Sequence, residues 1–94
     1  MRIKCIVTYD GTHFYGWQIQ PDKRTVQEEI QKAIYKITHE EVTIHSSGRT
    51  DAGVHAVGQV IHFEINKKIP EKQWIRALNN FLPDDIYIKD SFIV

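Results

Sequence analysis

The chain has 94 residues, and its 12 Lys and Arg residues balance its 12 Asp and Glu residues. This length predicts one domain. No apolar run is long enough to cross a membrane, and the single cysteine excludes an internal disulfide. The neutral balance argues mildly against strong nucleic-acid binding by this chain alone, because nucleic-acid-binding modules usually carry a basic excess or patch. No signal peptide precedes the first strand-like segment, which fits a cytoplasmic protein.

The first predicted element is a strand that ends at Tyr9. Apolar residues alternate with mostly polar ones from Ile3 to Tyr9, which is typical of a half-buried strand. Residues 10–18 follow as a loop rich in glycine and aromatic residues. These aromatic side chains either pack locally or stack on RNA bases, and we expect Phe14 and Trp17 to be mostly structural.

The first helix begins after Thr25, which forms a capping box with Glu28. Apolar residues recur at helical spacing to about Thr38, and this stripe must face the core. Two of them, Ile30 and Ile34, are expected to pack against the third strand. The apolar residues of the stripe are Val26, Ile30, Ala33, Ile34 and Ile37.

Two strands surround a polar loop in the middle of the chain. Glu41–Ser46 predicts a short strand with Val42 and Ile44 pointing inward, and Gln59–Ile65 predicts a longer one. Within the longer strand, Ile61, Phe63 and Ile65 share one face. A charged turn, Asn66-Lys67-Lys68, follows it.

The last two elements are a helix and a strand. Pro70 suits a first helical turn, and Pro83 ends the helix. Ile86–Val94 then closes the chain as a strand. The order β-α-β-β-α-β predicts a ferredoxin-like α+β fold: a four-stranded antiparallel sheet with two helices on one face and the other face free. The helical apolar positions are Trp74, Ala77, Leu78 and Phe81.

The loop Gly48–Ala56 carries the densest set of chemically active side chains. It reads Gly-Arg-Thr-Asp-Ala-Gly-Val-His-Ala, and Gly48, Gly53 and Gly58 punctuate it, so the backbone can turn sharply there. In extended backbone, residues two apart point to the same side, so Arg49 and Asp51 can face one cleft. An ionised Asp can act as a nucleophile or a general base, whereas an Arg–Asp surface pair would only pin the loop.

The five histidines and one cysteine do not match the spacing of a zinc site. His55 lies within the polar loop and either contacts RNA or holds the loop by a hydrogen bond. We favour the second role. No phosphate-binding or dinucleotide-binding glycine motif is present.

The loop Gly48–Ala56 resembles the active-site motif of the TruA family of tRNA pseudouridine synthases. A second segment, Tyr9–Gln18, is similar to another motif of that family. Thr25–Glu28, Gly58–Val60 and Asn79–Pro83 also agree in order and spacing. The resemblance extends over essentially all of the chain.

The resemblance implies an enzyme that isomerises uridine to pseudouridine in the anticodon stem-loop of tRNA, without cofactor or metal. The catalytic aspartate of the motif corresponds to Asp51. Whether it attacks the base, attacks the sugar carbon or removes a sugar proton stays open. The other implied substrate or RNA contacts are Arg49, Thr50, Gly48, His55, Tyr9, Asp10, Trp17 and Gln18.

The family fold joins two such halves around a cleft and forms a homodimer, so residues 1–94 correspond to its N-terminal, motif-bearing half. The family's active-site tyrosine lies beyond these residues, and Tyr87 does not match it. We therefore expect the isolated chain to fold but to be inactive. The alternative function is a non-catalytic RNA-binding module that keeps the motif.

Overall fold

A computed structural model describes residues 1–94 as four strands and two α-helices. The strands form one antiparallel sheet in the order β2-β3-β1-β4. This order confirms the predicted ferredoxin-like fold. The elements are β1 (Arg2–Tyr9), a short 3-10 helix (Gly11–His13), α1 (Val26–Thr38), β2 (His45–Ser46), β3 (Ala56–Glu64), α2 (Gln73–Phe81) and β4 (Ile86–Ile93).

The core lies between the two helices and one face of the sheet. It contains 19 buried apolar residues in a single cluster. Ile30 and Ile34 of α1 are fully buried in this cluster together with Ile61 and Phe63 of β3, as predicted. The inward residues of β1, from Ile3 to Tyr9, complete the floor of the core.

The ends of α1 follow from its sequence. The Thr25 hydroxyl accepts a hydrogen bond from the Glu28 N–H at 3.4 Å, as the capping box predicts. At the other end His39 adopts a left-handed conformation, φ 57°, and donates its N–H to the Tyr35 carbonyl. Both boundaries agree with the predicted helix.

The predicted starts of two strands were wrong. Strand β2 covers only His45–Ser46, because the backbone of Ile44 bonds the Gln27 and Gln31 side chains of α1. Ile44 is nevertheless buried and Val42 half-buried, as the alternation predicts. Strand β3 begins at Ala56 rather than residue 59, because Ala56 pairs with the end of β1.

Helix α2 begins at Gln73, later than Pro70 suggested. The carbonyl of Pro70 accepts the Gln73 N–H at 2.9 Å, so Pro70 belongs to a turn that precedes the helix. Helix α2 packs against α1 and β4. Neither α-helix is both long and apolar enough to span a membrane.

Candidate active site

The candidate site consists of two loops that pack against each other. The first loop (residues 10–25) joins β1 to α1, and the motif loop (residues 47–55) joins β2 to β3. Their backbones are bonded directly: the Trp17 N–H donates to the Thr50 carbonyl at 3.0 Å, and the Gly53 N–H donates to the Phe14 carbonyl at 3.1 Å. The two motifs identified in the sequence therefore form one structural unit.

Two glycines in the first loop allow this close approach. A Cβ on Gly11 would lie 1.9 Å from the Val54 carbonyl oxygen, and one on Gly16 would lie 2.7 Å from the Thr50 carbonyl oxygen. Because both obstacles are backbone atoms, no side-chain rotation relieves them. Sequence analysis had assigned the turning role to the glycines of the motif itself.

Among those motif glycines, only Gly53 has a positive φ, 78°. Gly58 lies within β3, so it does not end the motif loop as expected. The carbonyl of Gly48 accepts a hydrogen bond from Gln59 Nε2 at 2.6 Å. Ser46 Oγ also bonds the backbone of Gly48, so β2 and β3 hold the start of the motif loop.

Helix α1 anchors the first loop through its N-terminus. The N–H groups of Val26 and Gln27, which have no partner inside the helix, donate to the carbonyls of Gly16 and Trp17 at 3.2 and 3.0 Å. The Tyr15 N–H donates to the Arg24 carbonyl at 2.8 Å. The loop is thus fixed at both ends of its aromatic segment.

An ion pair that sequence analysis missed anchors the first loop to the turn before β4. Arg24 donates two hydrogen bonds to the Asp85 carboxylate, at 2.9 and 3.0 Å, and its guanidinium lies 4.0 Å from the centre of the Phe14 ring. These bonds hold the pKa of Asp85 below its usual value of 3.8. The two residues are far apart in sequence, so no local pattern pairs them.

Tyr9 and Trp17 lie beneath the motif loop. Their side chains are only 4% and 3% exposed, with ring centres 6.4 Å apart. The Tyr9 hydroxyl and Thr50 Oγ1 are 2.6 Å apart and hydrogen-bonded, while burial raises the pKa of Tyr9. Phe14 and Trp17 are buried as the sequence predicts. Direct RNA contact by Tyr9 or Trp17 stays a prediction, and their burial supports a positioning role.

Arg49 and Asp51 line the same pocket, of about 320 Å³. Arg49 Nη1 donates to Gln18 Oε1 at 3.0 Å, which fixes its direction. The exposed Asp51 carboxylate accepts no hydrogen bond within the chain, and no Arg49–Asp51 ion pair forms. The Asp51 carboxylate is therefore free to meet a ligand, while Arg49 keeps N–H groups other than the one bonded to Gln18. The other lining residues are Tyr15, Gln18, Gln20, Thr50 and Ala52.

His55 and Asp10 hold the opposite end of the motif loop. His55 Nδ1 lies 2.9 Å from the Gly11 N–H nitrogen, which donates to it, and 3.1 Å from Asp10 Oδ1. This contact is the loop-holding hydrogen bond favoured from the sequence. Asp10 Oδ1 accepts from the Thr12 hydroxyl and N–H at 2.6 and 3.0 Å, and these bonds hold the pKa of Asp10 below its usual value.

Comparison with known proteins identifies the family. The family model for tRNA pseudouridine synthase matches residues 5–92, nearly the whole chain. The chain belongs to this family. The resemblance that the sequence motifs predict is therefore confirmed.

Curated relatives of the synthase family agree. The chain is 55% identical over 93 residues to tRNA pseudouridine synthase A of Maridesulfovibrio salexigens, a match that covers 99% of the chain and 34% of the relative. It is 52% identical over 95 residues to the enzyme of the same name in Bacillus subtilis, with 99% of the chain and 38% of the relative covered. The chain thus spans little more than a third of the length of these relatives.

Proposed function

We propose that this chain is the motif-bearing part of a tRNA pseudouridine synthase that isomerises uridine to pseudouridine in the anticodon stem-loop. The observation that carries this proposal is the pocket of the motif loop. Asp51 presents an unpaired, exposed carboxylate there beside a guanidinium already oriented by Gln18. Other exposed aspartates also lack a partner, and what sets Asp51 apart is that it shares a pocket with Arg49 on a loop held by backbone hydrogen bonds.

In the proposed reaction the bond from the sugar to the uracil nitrogen breaks, the base turns, and a bond from the sugar to a ring carbon forms. Asp51 contacts the sugar–base unit, either as a covalent nucleophile or as the base that removes a sugar proton. The target base must leave its stack to reach the pocket. Arg49 is suited to hold the flipped geometry, either by binding a phosphate through the two hydrogen bonds of its planar fork or by occupying the vacated space.

The supporting residues act by position. Tyr9 and Trp17 hold Thr50 from below, and His55 fixes the end of the motif loop against Gly11. A group held by several independent bonds loses little entropy on binding substrate, and orientation can supply about 7–11 kcal/mol of a barrier. The rigid backbone unit below the pocket therefore favours catalysis over loose RNA binding.

The pocket in this chain is partly open to solvent. We propose that the remainder of the family fold, which the relatives' greater length provides, forms the opposite wall, and that the whole protein is a cytoplasmic homodimer. A site without that wall admits water and cannot hold a flipped base. The isolated chain should therefore bind tRNA weakly, in a salt-sensitive way, and make no pseudouridine.

The decisive experiment replaces Asp51 by Asn in the full-length protein that contains this chain. Tritium release from tRNA labelled at uridine C5 should fall by at least about 100-fold, because the variant can neither attack nor accept a proton, while tRNA affinity stays within about twofold. The matched control is Asp84→Asn, an exposed aspartate without a side-chain partner, which should keep full turnover. Turnover of Asp51→Asn within about tenfold of the parent would contradict the assignment.

A further inference from the structure

The free face of the sheet carries one in-register row of side chains, with one residue from each strand. His45 of β2 pairs with His62 of β3, His62 with Lys4 of β1, and Lys4 with Phe92 of β4. The row lies on the face opposite the core, since the neighbours of Lys4 in β1, Ile3 and Cys5, are fully buried. We call these four residues the cross-sheet row.

The rings in the row have defined geometry. The imidazoles of His45 and His62 are stacked, with centres 5.0 Å apart and planes at 26°. Lys4 Nζ lies 4.9 Å from the centre of the Phe92 ring, and Lys72 Nζ lies 4.0 Å from the same centre. The Phe92 ring therefore contacts two ammonium groups, and one of them, Lys4, is paired in register with His62.

The charge along this face is not balanced. Lys72 pairs with Asp90 at 2.8 Å, and Arg2 pairs with Glu64 at 2.7 Å. Lys4, in the middle of the row, has no acidic partner. An apolar protein segment covering the row would bury this unpaired ammonium at a large cost, whereas a phosphate would neutralise it.

We propose that the cross-sheet row binds the single-stranded part of the RNA substrate away from the reacting uridine. One unpaired base stacks on the His45–His62 pair, and Lys4, held by Phe92, contacts a backbone phosphate. Single-stranded RNA is recognised in this way, by bases stacked on aromatic or imidazole rings and by cations along the backbone. The inference rests on the proposed function, because it takes tRNA as the ligand.

The row is separate from the pocket of Arg49 and Asp51. Lys4 is five residues from Tyr9 along β1, a distance of about 17 Å at the usual strand rise. Contacts there cannot take part in the reaction. They should strengthen binding of substrate without changing the rate of the bound complex.

The test uses the full-length protein that contains this chain and an anticodon stem-loop RNA labelled for fluorescence anisotropy. The His45→Ala/His62→Ala double variant should raise Kd by about 5- to 150-fold, the loss of one base stack, with kcat at saturating RNA unchanged. Lys4→Gln should lower the slope of log K against log salt by about 0.7, the value for one single-strand phosphate. Lys36→Gln, an exposed lysine on α1, should change neither quantity.

A ring-preserving variant separates stacking from folding. His62→Phe keeps a flat ring at the same position of β3, so its Kd should stay within about threefold of the parent. This result is required even if the double alanine variant fails to fold. A Kd of the folded His62→Phe variant raised beyond that range would overturn the stacking role.

Three further outcomes separate failure of the cross-sheet row from failure of the proposed function. Unchanged Kd and salt slope in the histidine and lysine variants, in a parent that binds tRNA and forms pseudouridine, would overturn the row and leave the proposed function intact. A lowered melting temperature with unchanged RNA binding would overturn the row as an RNA site and show that its contacts serve stability alone. A parent that neither binds tRNA nor forms pseudouridine would overturn both proposals.

Discussion

The helix–sheet core and the two-loop site are held together by different forces. The core consists of apolar side chains, including the fully buried Ile34 and Phe63, whose packing does not depend on hydrogen bonds. The site is joined by backbone hydrogen bonds, such as Trp17 to Thr50, that pass between loops. Arg49 and Asp51, the two side chains proposed to act on the substrate, are exposed.

This contrast shows how a small domain can keep a carboxylate free of partners. A carboxylate buried in the core would need hydrogen bonds that occupy it, whereas a carboxylate on a rigid loop needs none. The backbone bonds supply the rigidity in place of side-chain contacts. Substitutions in the core should therefore change stability, and substitutions in the site should change geometry or turnover.

The largest effect is expected in the core. Ile34→Ala removes a fully buried side chain from α1 and leaves a cavity, so the free energy of unfolding should fall by about 2–5 kcal/mol. Urea denaturation of the 94-residue chain measures this loss. The control Lys36→Ala, an exposed position on the same helix, should cost less than about 0.5 kcal/mol. An Ile34→Ala loss as small as the control would mean that the helix does not pack as described.

The second effect tests the contact between the loops. Gly11→Ala places a Cβ 1.9 Å from the Val54 carbonyl oxygen, so the loops must move apart, at a cost of about 1–3 kcal/mol. In the full-length protein, turnover should fall far more than tRNA affinity, because Asp51 loses its position. Gly58→Ala is the matched control, since its nearest new contact is a side-chain carbon of Ile6 at 3.9 Å. Normal turnover by Gly11→Ala would show that the loops need not touch.

Sequence patterns predicted the core better than the site for a physical reason. Alternation in β1 and helical spacing in α1 are local properties, so the burial of Ile30 and Ile34 follows from their neighbours in sequence. Arg49 and Asp51 of the motif loop could also be proposed from the sequence, because they stand out by residue type, and their role stays a prediction. That the Asp51 carboxylate has no partner and that Gln18 orients the Arg49 guanidinium could be seen only in the structure.

The missed features all depend on contacts between distant segments. Nothing near Gly11 in the sequence shows that Val54 lies against it, and nothing near Arg24 points to Asp85. The short extent of β2 has the same origin, because side chains of α1 bond the backbone of Ile44. The one local signal was the placement of Gly11 and Gly16 on either side of Phe14 and Tyr15, which permits a close backbone approach without indicating the segment approached.

The third effect concerns the ion pair that anchors the first loop. The hydrogen bonds from Arg24 lower the pKa of Asp85, so their stabilisation is complete above the unfolded pKa, about 3.9, and is lost as pH falls through the lower folded pKa. Asp85→Asn should therefore cost about 1 kcal/mol at pH 7, and the difference from the parent should shrink below pH 4. Denaturation at pH 7 and in acid measures both quantities. A difference that stays constant down to low pH would mean that charge does not hold this contact.

The smallest effect concerns Cys5, whose thiol should not react with a disulfide reagent while the chain is folded. Burial, with a smaller contribution from the Asp90 carboxylate, raises the pKa of Cys5 to about 12, and only a thiolate attacks a disulfide reagent. Labelling at pH 8 should thus require the sheet to open, at a rate set by the global free energy of unfolding.

Asp51→Asn should leave that rate unchanged, because its side chain contacts nothing in the core. Ile34→Ala should raise it by about 30- to 5,000-fold, the factor that corresponds to its loss of stability. Labelling of the parent faster than global unfolding would show that the centre of β1 opens locally, and the division between a closed core and an open site would not hold.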